Sequence, residues 1–187
     1  IGASRGIGME LVRQYLTGGR RVIATARDDA GVARLKGMGA EVLRVDVSDP
    51  ASVSGLAWQL DGEKLDVALY VAGVIDRASA GTPPTREAFD RVMHTNVLGA
   101  MQVIPQVMPM VEAAQGVFAG LSSSMSQIGR VPASNAWLYR VSKAALNMAL
   151  SSARFEYPAA RVVALDPGWV QTDMGGAGAP VLLEDIV

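Results

Sequence analysis

The chain begins IGASRGIGMELVRQYLTGG (residues 1–19), with Gly2, Gly6 and Gly8 ahead of an apolar pattern at Leu11, Val12, Tyr15 and Leu16. Apolar residues three and four apart share one face of an α-helix, so the pattern predicts a helix that stops at the Gly18-Gly19 pair. The glycines therefore feed a helix N-terminus. Such a terminus offers unpaired N–H groups and a partial positive charge, and glycine lets an anion reach that backbone without meeting a Cβ. A phosphate cradle is one reading of the stretch, and a plain tight turn is the other. The spacing G-x-x-x-G-x-G matches neither G-x-x-x-x-G-K-[ST] nor G-x-G-x-x-G, which argues against kinase or NTPase chemistry.

The remainder of the chain separates the two readings. Short β-branched or apolar runs recur at RRVIATAR (20–27), AEVLRVDV (40–47), LDVALYVAG (65–73), GVFAGLSS (116–123) and ARVVALDPG (160–168). Between them lie helical stretches: 30–37, 50–60 with Asp49 as N-cap, a helix from about Arg86 on through 94–114, and 139–157. Pro105 and Pro109 predict a kink or break in the third of these. Five buried runs alternating with helices imply a parallel sheet covered on both faces, hence a doubly wound, three-layer αβα fold of Rossmann type. Ligands bind such sheets at the carboxyl ends of the strands.

Composition narrows the partners. The 187 residues fit one domain, 1–187, and no repeat or linker divides them. Net charge is −1 and no Lys/Arg run exceeds two residues, so neither nucleic acid nor an anionic membrane is an expected partner. Cysteine is absent, which excludes disulfides, thiolate metal sites and cysteine nucleophiles. No apolar run reaches the ~18 residues of a membrane span, and no stretch of the given sequence reads as a signal peptide, so none is expected. The reading is a soluble, cytoplasmic protein with no metal site.

YRVSK, Tyr139 to Lys143, carries the chemistry. Residues four apart lie on one helical face, so a phenol and an ammonium can meet the same ligand, and a nearby cation favours the phenolate. That would bring the phenol within reach of proton transfer near neutral pH. His94 is the only histidine and no G-x-S-x-G elbow occurs, so a Ser-His-Asp hydrolase is not expected, and His94 reads as packing or surface.

Taken in order, GASRGIG, RVDVSD, VAG, HTNVLG, LSSSMSQIG, YRVSK and DPGWVQTDM resemble the short-chain dehydrogenase/reductase family, in the branch that includes C-factor-like and carbonyl-reductase-like members. The resemblance implies a tetrad of Asn96, Ser123, Tyr139 and Lys143, with Ser126 as second choice for the serine. Tyr139 would be the general acid or base; Lys143 would lower its pKa and hold the nicotinamide ribose. Ser123 would polarise the carbonyl, and Asn96 would orient Lys143 through a water. Cofactor contacts are implied for Gly2, Ser4, Arg5, Gly6, Ile7, Gly8, Asp46, Val47, Ala72, Gly73, Tyr139, Lys143, Pro167, Gly168 and Thr172. Asp46 reads equally as a strand-end residue capping the next turn.

The chain departs from the family in three places. Only Ile1 stands before Gly2, where a first strand would run at the centre of the sheet, and the last helix and strand are likewise expected to be missing from the chain as given. Tyr70-Val71 replace the asparagines of N-N-A-G, which bears on a hydrogen-bond network around the central strands. A 2′-phosphate needs a cation and a free 2′-OH a carboxylate; Arg27 after the second family strand and Arg5 in the loop favour NADP(H) over NAD(H), with Asp28 as the competing residue. The implied activity is hydride transfer between NADP(H) and a small carbonyl or alcohol substrate, with a homodimer or homotetramer as the expected assembly. The alternative is a nucleotide-sensing or signalling protein on the same fold.

Overall fold

Valine recurs with other apolar residues in the runs after Arg21 and Ala40, and in the computed structural model, which describes residues 1–186, both become strands. The chain divides into two compact units, one of residues 1–46 with the segment from Pro167 on, the other Val47–Asp166.

In the first unit, α1 (Gly6–Thr17) leads to β1 (Ile23–Ala26), α2 (Asp29–Gly37) and β2 (Glu41–Arg44). α1 ends as predicted at the glycine pair. Gly19 takes φ +74°, and the Arg20 N–H returns to the Tyr15 carbonyl at 2.9 Å, closing a Schellman turn. β1 and β2 pair in parallel, Ile23 opposite Glu41 through Ala26 opposite Arg44. Ala3, Val12, Ala24, Ala26, Leu35 and Ala40 make the core between them.

The second unit opens with α3 (Pro50–Ser54) and α4 (Leu56–Gln59), one expected helix divided at Gly55, with Asp49 accepting the Ala51 N–H at 3.0 Å as N-cap. β3 (Val67–Tyr70), α5 (Arg86–Met93), a π turn (His94–Leu98), α6 (Gly99–Ala113), β4 (Val117–Leu121), α7 (Trp137–Glu156) and β5 (Arg161–Leu165) come next along the chain. β3, β4 and β5 form a parallel ladder in that order. Tyr70, Phe118, Met108, Leu146 and Val107 are its fully buried side chains among others.

The strands are parallel and alternate with helices, as the α/β reading expects; they pair as two ladders, β1 with β2 and β3 with β4 and β5. Two expectations are corrected. β2 and β5 are edge strands whose apolar residues stay half-exposed or exposed, whereas central β4 is buried from Phe118 to Leu121. Pro105 and Pro109 do not break α6. They lie with Met101 on its exposed face, where water can satisfy the carbonyls they leave without a donor. The irregularity falls upstream, at His94–Leu98.

Candidate active site

The glycine loop is built for close approach. The Gly2 N–H donates to Thr25 Oγ1 at 2.9 Å and Ala3 N–H to the Thr25 carbonyl at 2.9 Å, tying the loop to β1. Gly2 and Gly6 have φ of +83° and +51°, a region that L side chains rarely adopt. A Cβ on Gly8 would lie 2.5 Å from the Gly2 carbonyl oxygen, so the helix can enter this loop only with glycine there. No side chain caps α1 and its first turn holds no acidic residue, so nothing in the helix itself competes for an anion at its N-terminus.

Around that loop the first unit gathers most of the expected cofactor residues. Ser4 and Ile7 are half-buried, Arg5 is exposed and 3.8 Å from the Asp173 carboxylate, and a Cβ on Gly6 would meet Thr172 Cγ2 at 3.5 Å. Thr172 Oγ1 accepts the Gly175 N–H at 3.0 Å, and Gly168, after half-buried Pro167, takes φ +77°. Arg27 stands at the end of β1 with its side chain 65% exposed, 4.0 Å from Asp28. Asp28 is the N-cap of α2, accepting the Gly31 N–H at 2.7 Å. Asp46 is half-buried after β2. Two residues here escaped the sequence reading. Arg34 Nη1 donates to the Ser4 carbonyl at 2.8 Å, and Gly31 leaves room for the loop, since a Cβ there would stand 2.8 Å from Ser4 Cβ. A glycine two residues into a capped helix is the signal that could have found the second.

In the second unit the tetrad candidates come together. Tyr139 and Lys143 sit one turn apart on α7 and are 8% and 4% exposed. Ser123, just beyond β4, stands close enough to the Tyr139 phenol to draw its pKa down, and its Oγ accepts the Met125 N–H at 3.2 Å. Ser126 is engaged elsewhere: its hydroxyl donates to the Ser123 carbonyl at 2.6 Å and accepts from Asn147 Nδ2 at 2.8 Å. Asn147 also accepts from Ser122 Oγ at 2.6 Å. One amide thus clamps both ends of the serine loop. Asn147 continues the Tyr139, Lys143 stripe at the next i+4 step, a periodicity that was visible in the sequence.

Asn96 is fully buried in the π turn. Its Oδ1 accepts the Val74 N–H at 2.8 Å, and its Nδ2 donates to the Val74 carbonyl at 2.9 Å and to Ser142 Oγ at 2.9 Å. Ser142 donates its own proton to the Tyr139 carbonyl at 2.7 Å, so Asn96 is joined to α7. Gly73 lies between Asn96 and Lys143: a Cβ on it would be 3.5 Å from Asn96 Oδ1 and 3.6 Å from Lys143 Nζ. Ala72 is half-buried beside it, Val47 is buried against Gly99, and His94 is exposed, as expected of a surface residue.

Burial pushes the Tyr139 phenol above its ordinary value of 10; the Ser123 hydroxyl pulls it down, and the Asp166 carboxylate pushes it further up. Lys143 Nζ lies 5.6 Å from the phenol ring centroid and donates to the Leu121 carbonyl at 2.6 Å. Burial is the largest of these causes on the phenol. Burial also draws the Lys143 ammonium down from 10.5 to about 8. Among the described residues no three His, Asp or Glu side chains are placed to hold a metal ion, and no helix is long and apolar enough to cross a membrane.

A parallel α/β fold, a glycine loop at a helix N-terminus and a buried Tyr-x-x-x-Lys pair with serine and asparagine define a class of nicotinamide-dependent oxidoreductases. The chain belongs to the short-chain dehydrogenase family, whose model matches residues 1–179. It is 30% identical over 182 residues to the NADPH-dependent pterin aldehyde reductase of Arabidopsis thaliana, covering 92% of this chain and 74% of that protein. It is 39% identical over 102 residues to C-signal of Myxococcus xanthus, covering 52% of this chain and 60% of that protein. The carbonyl reductase Sniffer of D. melanogaster shares the fold, with a TM-score of 0.90, 24% identity, and coverage of 99% of this chain and 85% of that one.

Proposed function

We propose that this oxidoreductase is an NADP(H)-dependent carbonyl reductase or alcohol dehydrogenase in which residues 1–187 act as one dinucleotide-binding and catalytic domain. The observation that carries this is the buried Tyr139 phenol with Ser123 beside it and Lys143 one turn away. The residues fit the cofactor: Gly6 and Gly8 let the loop fold tightly onto the start of α1, no side chain caps that helix, and no carboxylate of the first turn opposes a pyrophosphate there. The exposed guanidinium of Arg27, with Arg5 in the loop, suits a 2′-phosphate, while Asp28 is engaged in capping α2. Thr172, Pro167 and Gly168 would take the nicotinamide end, and Asp46 and Val47 the adenine.

When bound, the cofactor supplies the hydride. In reduction, Tyr139 hands its phenolic proton to the substrate carbonyl oxygen, to which Ser123 also donates. A phenol kept above its ordinary pKa is fully protonated at neutral pH, ready to act as the acid. As negative charge develops on the phenol oxygen, the Lys143 ammonium one turn away stabilises it. Gly73 keeps open the space between Asn96 Oδ1 and Lys143 Nζ, where a water would link them. The substrate is a small carbonyl or alcohol, and the location is cytoplasmic.

The test is NADPH oxidation across small aldehydes, ketones and quinones. Tyr139→Phe should lose essentially all turnover and keep its affinity for NADPH; turnover that survives the substitution would overturn the assignment. The similarity to C-signal favours a second reading, a nucleotide-sensing or signalling protein. That reading gains if NADPH binds tightly and nothing in the panel is reduced.

A further inference from the structure

Where the family pattern leads one to expect asparagine, β3 ends on Tyr70. Its ring is fully buried and its phenol donates to the Thr95 carbonyl at 2.6 Å. In a regular α-helix that carbonyl would receive the N–H of Gly99, four residues on. Here the Gly99 N–H reaches back five residues to the His94 carbonyl instead, which is what makes His94–Leu98 a π turn. Tyr70 supplies the Thr95 carbonyl with a donor from outside the helix. Gly99 lets the two come together: a Cβ on it would lie 2.6 Å from Tyr70 Oη and 2.6 Å from the Val47 carbonyl oxygen, contacts that no other side chain could make.

The residue after Thr95 is Asn96, and Val74, four residues beyond Tyr70, grips its amide with both backbone groups. One short segment leaving β3 thus holds two successive residues of the π turn, the phenol on Thr95 and the backbone on Asn96. We propose that Tyr70 is a positioning residue: its hydroxyl holds the π turn open and so sets where Asn96 Oδ1 stands relative to Gly73 and Lys143. The proposal rests on the catalytic role of Asn96 in the proposed function. Without the hydroxyl, the Thr95 carbonyl regains Gly99 as its natural donor and the turn can tighten toward α-helical spacing, taking Asn96 with it.

Tyr70→Phe keeps the ring and removes only the donor. Because misplacing a group by about 1 Å can cost about 100-fold in rate, kcat should fall about tenfold or more with the dissociation constant for NADPH unchanged. Asn96→Ala supplies the discriminating background. If Tyr70 acts through Asn96, the same Tyr70→Phe change should cost less than about twofold there. Equal losses in both backgrounds, a kcat within about twofold of wild type, or a variant that no longer binds NADPH would each overturn the proposal. An independent readout needs no substrate: exchange of the Val74 amide hydrogen, whose acceptor is Asn96 Oδ1, should quicken about tenfold more than that of Phe118 in β4. Uniform quickening, or none, would overturn the proposal. Tyr139→Phe run alongside separates the two ideas, since surviving turnover in that variant sinks the catalytic reading, whereas a flat Tyr70→Phe result sinks only the positioning role.

Discussion

Lys143 is the residue where function and stability pull apart. Folding takes its ammonium out of water, and the hydrogen bond to the Leu121 carbonyl offsets that loss only in part. A base whose folded pKa of about 8 lies below its unfolded 10.5 destabilises the fold wherever it stays charged, and the penalty fades as pH rises from 8 toward 10.5. At ~1.4 kcal/mol per pKa unit the full penalty is about 3 kcal/mol. Lys143→Met should therefore abolish turnover without a matching loss of stability. In urea melts, wild type should gain about 2–3 kcal/mol relative to the variant between about pH 7 and about pH 10. A difference that does not change with pH would mean that the ammonium remains solvated. Asn96 shows the opposite arrangement, a buried polar group whose hydrogen bonds are made with neutral partners, so no such pH dependence is expected of Asn96→Ala.

At the scale of elements, helix ends and irregularities decide what reaches the site. α6 finishes on Ala113, and the left-handed position after its C-cap is Gln115, φ +51°, with the Gly116 N–H closing the turn onto the Val111 carbonyl at 2.9 Å. Gly116 is glycine for a different reason: a Cβ on it would strike the Leu65 carbonyl oxygen at 2.4 Å, where the chain enters β4 beside β3. Gln115 is exposed and bears the backbone strain alone, so Gln115→Gly should stabilise by about 0.5–1 kcal/mol, read as a rise in Tm with unchanged kinetics. A fall in Tm would mean that the glutamine side chain contributes more than the strain costs. α7 illustrates what spacing can carry: Tyr139, Lys143 and Asn147 share a face because i+4 steps place them there. The π turn illustrates what it cannot. The Pro105 and Pro109 signal pointed to a break in α6, while the widening at His94–Leu98 depends on Tyr70, more than twenty residues upstream, for its extra hydrogen bond.

For the whole molecule, cofactor binding should show itself as stability. A ligand held only by the folded state adds about 2.7 kcal/mol when present at about 100 times its dissociation constant, so NADPH should raise Tm more than NADH at equal concentration. Arg27→Ala should remove that difference, weakening NADPH by about tenfold or more, as expected for one charge-assisted contact, and leaving NADH unchanged. An unaltered NADPH shift would move the 2′-phosphate contact elsewhere, to Arg5 first. The sequence by itself determined the parallel α/β class, the glycine loop and the Tyr139–Lys143 pair, because these are local: a strand's apolar run, a turn's glycines and a helix's period are each written in consecutive residues. The tertiary structure alone decided which serine stands beside the phenol, that Asn147 clamps the serine loop, that Arg34 holds Ser4, that the strands form two ladders, and that burial raises the Tyr139 pKa. Each of those depends on groups distant in sequence meeting at a given separation and degree of solvation, which no local pattern encodes.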